Sequence, residues 1–559
     1  MSEPERHGDL GRGAVAVGSG ILASRVFGLV RERALAHYFG VGLYADVVAA
    51  ALRIPNVIQN LLGEQTLSAA FIPTYARFVA AGRRETAGRF AGAIFGLLLA
   101  LAGALSVAGV VFARPLTVLL TPGLLADSAR VASGAVEASR FELLAATVRW
   151  IFPMSGLLVL SAWALGVLNS HGRFFLSYVA PVAWNVAIIT ALVLAGQGWV
   201  SFGGGGPLDR MLLAVAIGAL AGGARQFAVQ LPWVAREMTG FRLSLSTRVE
   251  GVRESLRAFG PAVAGRGVVQ ISSFLDQVLA SFLAIGGFSA LRYAQTLYLL
   301  PVSLFGMSLA AAALPRLARE HSGDDDASRA RLAASVRLAL RQNVFLNLPT
   351  AAAYLAFGFL IVGGLYRTGS FQSQDSWLVY LVLASYTLGL VASTSSRQLQ
   401  SAFFALGDTA TPARIAFFRV GVGVLVGVPA MKLLDRWTVP GMVGPFPGAE
   451  ALHLGAIGLG LGASVAAWCE WTWLSRALER RIGPARPDRE FLLRLTLAGA
   501  LAALPAAAGA WAVTRLEVPP LLGAASVLLG FAVIFLLAAH RLRVPEATRW
   551  IRRLRPRQP

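Results

Sequence analysis

The chain has 559 residues, is 56% hydrophobic and only 14% charged, and has a mean hydropathy of +0.63. That balance excludes a soluble multidomain protein; apolar runs of membrane-spanning length recur from end to end, so the sequence reads as an all-α polytopic membrane protein. The net charge of +21 does not mark a nucleic-acid binder, because the basic residues (Lys432 is the only lysine) sit in short loops between apolar spans.

Residues 1–13 are polar and lack a small-residue cleavage site, so the first apolar run is predicted to be a retained helix rather than a signal peptide. Fourteen spans are predicted, near 14–36, 44–78, 88–112, 141–168, 175–197, 210–235, 259–284, 288–315, 334–365, 376–404, 412–433, 451–475, 490–513 and 520–540. Span one contains Ser24-Arg25-Val26-Phe27-Gly28-Leu29-Val30-Arg31-Glu32-Arg33. An arginine near the middle of a spanning helix costs ~2.5–3.5 kcal/mol on insertion scales, and such residues usually face a bundle interior or watery cavity on a substrate path. Arg25 fits that description; Arg33 reads equally well as a headgroup anchor. Spans two, nine and ten are long enough to tilt or kink. Pro55 in span two removes a backbone hydrogen bond, and a broken helix at membrane depth is tolerated where it lines a cavity.

The loops after spans two, six, eight and twelve and the C-terminal tail are rich in arginine, as at Arg83, Arg242, Arg329 and Arg480. Even-numbered loops and both termini are therefore predicted to be cytoplasmic. The division read from the spans is 1–235 (six helices), 236–433 (helices seven to eleven, including a cytoplasmic loop 236–258) and 434–559 (helices twelve to fourteen with a basic tail). Cys469 is the single cysteine, so no internal disulfide forms; His171 reads as a loop residue. No His/Cys cluster suggests a metal, and Gly203 to Gly206 lack the Lys-Ser/Thr of a phosphate-binding loop.

Several ordered motifs go beyond hydropathy. Ser24-Arg25 through Arg31-Glu32 is followed by Asp46, Arg53-Ile54-Pro55-Asn56, Glu64 and Ala70-Phe71-Ile72-Pro73. Later come Asn169-Ser170-His171-Gly172-Arg173, Ala180-Pro181 with Asn185, Gly260-Pro261-Ala262, Gln270-Ile271-Ser272, Tyr366-Arg367-Thr368-Gly369, and Gly407-Asp408-Thr409-Ala410-Thr411-Pro412. In this order they resemble the MurJ/MviN family of lipid II flippases, within the MOP group of exporters.

The resemblance implies about fourteen transmembrane helices in two pseudo-symmetric halves around a central cationic cavity. It implies a transporter in the bacterial cytoplasmic (inner) membrane that works by alternating access, without covalent chemistry or cofactor. Its substrate would be undecaprenyl-diphosphate-linked disaccharide-pentapeptide, with membrane lipids and other cell-wall synthesis proteins as candidate partners. Arg25 and Arg31 match the family's functional arginines, and Asp46 and Glu64 its acids on helix two; Arg53 joins them as a candidate substrate-binding residue. A diphosphate suits the planar fork of charge-assisted donors that arginine offers.

The chain departs from the family at Gln59-Asn60 and Thr296, where basic residues are common. Arg149, Arg266, Asp276, Arg292 and Arg419 add intramembrane charge, and Arg149 has a family counterpart. Arg266 and Arg292 are candidates to replace the missing cations, since Arg292 lies one turn before Thr296. Asp276 matches a position linked to sodium in some members, but its polar partners correspond here to Gly423 and Gly427. Pairing of Asp276 with Arg266 or Arg419 is the preferred expectation. Two rival readings remain at this point: an exporter of another polyprenyl-diphosphate glycan, and a non-transporting scaffold of the same fold.

Overall fold

The computed structural model describes residues 3–134, 138–201, 203, 205–310, 313–314, 317, 326–443 and 451–554; at 3–18, 21, 264–269, 271–273, 439–443 and 553–554 only the backbone is described. The protein is helical almost throughout and divides into two compact units, 1–282 and 283–559. The sequence reading placed divisions after 235 and 433; the helix that follows residue 235 packs instead on earlier helices of the first unit.

Unit 1 holds α1 (Glu3–Phe39), α2 (Leu43–Ala51), α3 (Asn56–Leu62), α4 (Glu64–Ala70), α5 (Ile72–Ala80), α6 (Arg84–Val111), α7 (Ala113–Leu120), α8 (Ala126–Ala132), α9 (Arg140–Ser170), α10 (Phe174–Gly196), α11 (Pro207–Glu237) and α12 (Val252–Ala280). Span two is the series α2 to α5. It breaks at Leu52 to Pro55, as Pro55 predicts, and again at Gly63 and Phe71. Gly63 sits where a Cβ would lie 2.2 Å from the carbonyl oxygen of Gln59.

The centre of unit 1 is α9, apolar on nearly every side and 89% buried along its most apolar stretch, as expected of a helix surrounded by others. Phe71, Phe90, Phe78 and Trp163 form its principal core, with Phe71 and Phe90 stacked at 5.5 Å. Along α6, Gly88, Gly92 and Gly96 recur every fourth residue and form a groove. The backbone of residues 239–244 lies in it: Cβ atoms there would stand 2.1, 2.2 and 2.3 Å from the carbonyl oxygens of Thr239, Arg242 and Ser244. Glycine at these positions is a requirement of that contact.

Unit 2 holds α13 (Gly287–Pro301), continued by a π-helical stretch at Val302–Met307, then α14 (Asp326–Tyr366), α15 (Ser373–Thr387), α16 (Leu390–Ala405) and α17 (Ala410–Leu434). There follow β1 (Thr438–Val443), β2 (Ala451–His453), α18 (Gly455–Ile482), α19 (Arg489–Arg515), α20 (Pro520–Arg541) and α21 (Pro545–Leu554). Strands β1 and β2 pair antiparallel, Thr438 opposite His453, so span twelve begins at Gly455 rather than 451. Span ten is α15 and α16, bent by 42°. Helices α17 and α18 meet backbone to backbone: a Cβ on Gly462 would lie 2.5 Å from the Gly427 Cα and 2.7 Å from the Gly423 oxygen. Gly423 and Gly427 thus have a packing role, the small-residue contact through which membrane helices approach closely.

Among the described residues, each of the fourteen predicted spans falls on a helix or a run of broken helices. Among the described residues eight helices are long and apolar enough to cross a membrane, or nine with the bent pair counted as one span.

Candidate functional site

Helix α1 brings two guanidinium groups into unit 1. It packs along α10 at Gly20, where a Cβ would stand 2.8 Å from the Tyr178 Cβ. Arg25 is exposed, with no hydrogen bond to any described residue. Arg31 is 14% exposed and is held on several sides. Its Nη2 donates to Glu32 Oε1 at 2.5 Å, its Nη1 donates to Asn185 Oδ1 at 3.0 Å, and it stacks on the Trp184 ring at 4.6 Å. On α10 the Asn185 amide nitrogen donates to the Pro181 carbonyl at 3.3 Å, while its Oδ1 faces Arg31. Glu32 is buried, so Arg31 is a charge-compensated guanidinium, and the exposed Arg25 lies six residues earlier on the same helix.

Asp46, expected among the substrate-binding residues, is placed differently. It is 2% exposed and its Oδ2 accepts from Arg140 Nη1 at 3.0 Å. Arg140 also donates from Nε and Nη2 to the two oxygens of Asp127, at 2.7 and 3.1 Å. Three charges, two negative and one positive, are thus buried together where α2, α8 and α9 meet. Burial of one cation between two carboxylates spends its donors on the scaffold, because an unpaired buried charge is far costlier than a paired one.

The other expected residues are dispersed. Arg53 is half-buried in the break between α2 and α3, and Glu64 is exposed at the start of α4. The neutral Asn60 amide, in the family's basic region, donates to Gln270 at 3.2 Å and ties α3 to α12. The Arg266 side chain lies outside the described residues. Asp276 is exposed near the end of α12. In unit 2, Arg292 is half-buried on α13, and the Thr296 hydroxyl donates to the Arg292 backbone carbonyl at 3.0 Å. Arg419, offered to Asp276 from sequence, pairs instead with Glu470 at 3.2 Å. Among the described residues no group of three or more His, Cys, Asp or Glu could hold a metal.

Outside the spans, charged pairs brace the helix ends of unit 1. Arg83 pairs with Glu250 at 2.5 Å, and this hydrogen bond holds the Glu250 carboxyl below its usual range. His171 caps α9 and shares a hydrogen bond of 3.0 Å with the Tyr75 hydroxyl; burial pushes its imidazole down, with Glu237 opposing.

Sequence reasoning missed Arg140 as the partner of Asp46, Asp127 as the second carboxylate on Arg140, and Asn185 as a ligand of Arg31. Asn185 was visible beside Pro181 as part of a motif, but nothing local signals an Arg140–Asp46 contact across 94 residues.

The family model "Lipid II flippase MurJ" matches residues 35–528. A probable lipid II flippase of Haemophilus influenzae is 31% identical over 398 residues, 70% of this chain and 76% of that protein. A lipid II flippase of Burkholderia cenocepacia is 31% identical over 422 residues, 75% of this chain and 77% of that protein. Among solved structures, an inward closed lipid II flippase covers 94% of this chain and 98% of its own, with a TM-score of 0.70 at 19% identity. An inward-facing multidrug transporter of the MATE family matches at a TM-score of 0.61 and 15% identity, over 84% of this chain and 98% of its own. The two structural matches speak to fold alone; the family match and the sequence relatives go further, and on them the chain belongs to the MurJ family of lipid II flippases.

Proposed function

We propose that this chain carries lipid II, the polyprenyl-diphosphate-linked disaccharide-pentapeptide, from the cytoplasmic to the outer leaflet by alternating access. It is a multi-pass membrane transporter and makes or breaks no covalent bond. The observation that carries the reading within the family is the pair of arginines on α1: Arg31 oriented by Glu32, Asn185 and Trp184, and Arg25 exposed two turns away. Charge-assisted bonds from guanidinium to phosphate are strong and directional, and a diphosphate offers several acceptors. The prenyl tail stays in the bilayer while these groups receive the head. The arginine bias of the loops supports cytoplasmic termini and entry from that side.

The test is rescue of cells depleted of their own lipid II flippase. Expression of this chain should restore growth and outward lipid II. A chain that reaches the membrane at normal levels and restores neither would end the reading.

A further inference from the structure

Along α6, Ile94, Leu97, Leu98 and Leu101 recur at i, i+3, i+4 and i+7, the stripe that a helix ordinarily buries against a neighbour. Here the stripe is only partly covered. Ile94 and Leu98 are buried, Leu97 is half-buried and Leu101 is 41% exposed. A cleft of about 400 Å³, counting its open side, separates the stripe from Phe71 of the broken span and from Leu256 and Phe259 of α12. Among the described residues the one polar side chain in its wall is Ser255, and that hydroxyl donates to the Ala70 carbonyl at 2.7 Å. A wall without a free polar group does not hold water, because a buried water needs two to four polar partners. Hydrocarbon suits it, and the cleft opens past Leu101 on a helix long and apolar enough to cross a membrane.

The helix that closes the cleft also carries uncommitted charge. Arg253 and Arg257 lie four residues apart in the first turns of α12, on either side of Leu256. Both are exposed, and neither makes an ion pair or hydrogen bond with a described residue. The nearby carboxylates are spent on other cations: Glu254 meets Arg77 at 2.5 Å and Glu250 meets Arg83 at 2.5 Å. Arg253 and Arg257 precede predicted span seven, which sets them at headgroup level, on the side that the arginine bias assigns to the cytoplasm. An apolar cleft beside two available guanidinium groups matches one ligand in both shape and charge. One acyl chain fills the cleft and a phosphate meets the arginine forks.

We propose that the cleft between α4, α6 and α12, with Arg253 and Arg257 at its mouth, is a binding site for an anionic diacyl phospholipid. The site is independent of the transported headgroup. Its chain lies against the Ser255–Ala70 contact that joins α12 to the end of α4, so occupancy stabilises unit 1 by mass action.

The test uses the full-length protein, delipidated in neutral detergent and titrated with phosphatidylglycerol or phosphatidylcholine in mixed micelles while melting is followed. Phosphatidylglycerol should raise the melting temperature of wild type by about 2 °C or more, and phosphatidylcholine by less. Arg253→Gln/Arg257→Gln should weaken binding of phosphatidylglycerol about thirtyfold, to the level of phosphatidylcholine. Leu97→Trp, which puts an indole into the cleft, should abolish the response to both lipids. Mass spectrometry of the folded fraction counts retained phospholipid, so a variant that folds less well still reports. Inorganic phosphate alone should shift nothing; a shift equal to that from phosphatidylglycerol would assign the arginines to free anions and overturn the lipid site. If the two lipids act alike on wild type, or if either variant binds phosphatidylglycerol as wild type does, the proposal falls.

Discussion

Arg140 and Arg31 both carry a guanidinium into unit 1, yet their surroundings differ in kind. Arg140 is 3% exposed and is enclosed by Asp46 and Asp127, which take three of its N–H groups. Arg31 keeps 14% exposure and is held by a buried glutamate, an amide oxygen and the face of an indole. The first arrangement closes a junction between α2, α8 and α9. The second orients a cation without enclosing it, on the helix that also carries the exposed Arg25. Residue type alone does not separate scaffold from site; the number of carboxylates committed to the cation and the surface it retains do.

Removing Arg140 tests that contrast most severely. Arg140→Ala leaves two buried carboxylates around no cation, and breaking a buried pair costs roughly 3–5 kcal/mol. Folded protein recovered from membranes should fall sharply, with Arg140→Lys intermediate. An Arg140→Ala protein that melts like wild type would erase the distinction.

The groove on α6 supplies a purely steric comparison with these charged junctions. Gly92→Leu must push the Arg242 carbonyl out of the groove, and overpacking of this kind costs about 1–3 kcal/mol. Limited proteolysis should then cut faster within residues 239–248. Unchanged cleavage would show that the extended segment does not depend on the glycines.

Asp408 extends the contrast to an ion pair outside the spans. It caps α17, accepting from the Thr411 amide at 2.9 Å and the Thr411 hydroxyl at 2.6 Å, and it meets Arg481 at 2.7 Å. These hydrogen bonds, with Arg481, hold its carboxyl below the usual range. A folded-state pKa below the unfolded one stabilises fully above the unfolded value, about 4, and the gain disappears as pH falls through the folded value. Asp408→Ala should cost about 1 kcal/mol near neutrality, the usual loss of a helix cap. The gap between wild type and variant should close in acid; a gap independent of pH would assign the effect to packing.

The smallest effect on stability belongs to Arg25. It is exposed and has no hydrogen-bonded partner among the described residues, so Arg25→Ala should alter stability by no more than about 0.5 kcal/mol.

Hydropathy revealed the order of the spans because a helix in lipid must satisfy its backbone internally and display apolar side chains, a demand each segment meets alone. Pro55 disclosed one break in span two for an equally local reason. The breaks at Gly63 and Phe71 carry local marks too, a glycine at the first and Pro73 in the first turn of α5 at the second, but the sequence reading did not use them. Asp46 illustrates the limit for the site: its sequence neighbourhood matched the family's acid, but its partner is fixed by folding, 94 residues away. Gly423 and Gly427 were read by what they lack as ligands, whereas their close approach to α18 exists only once two helices pack.

The central claim is that the α1 cations bind the transported head while the Arg140 junction only supports the fold. It is tested most directly by measuring outward lipid II flux with Arg25→Ala and wild type at matched amounts of folded protein in depleted cells. The account predicts that Arg25→Ala abolishes flux with an unchanged melting temperature, and that Arg25→Lys restores little, since a point charge lacks the fork. Wild-type flux from Arg25→Ala would contradict it.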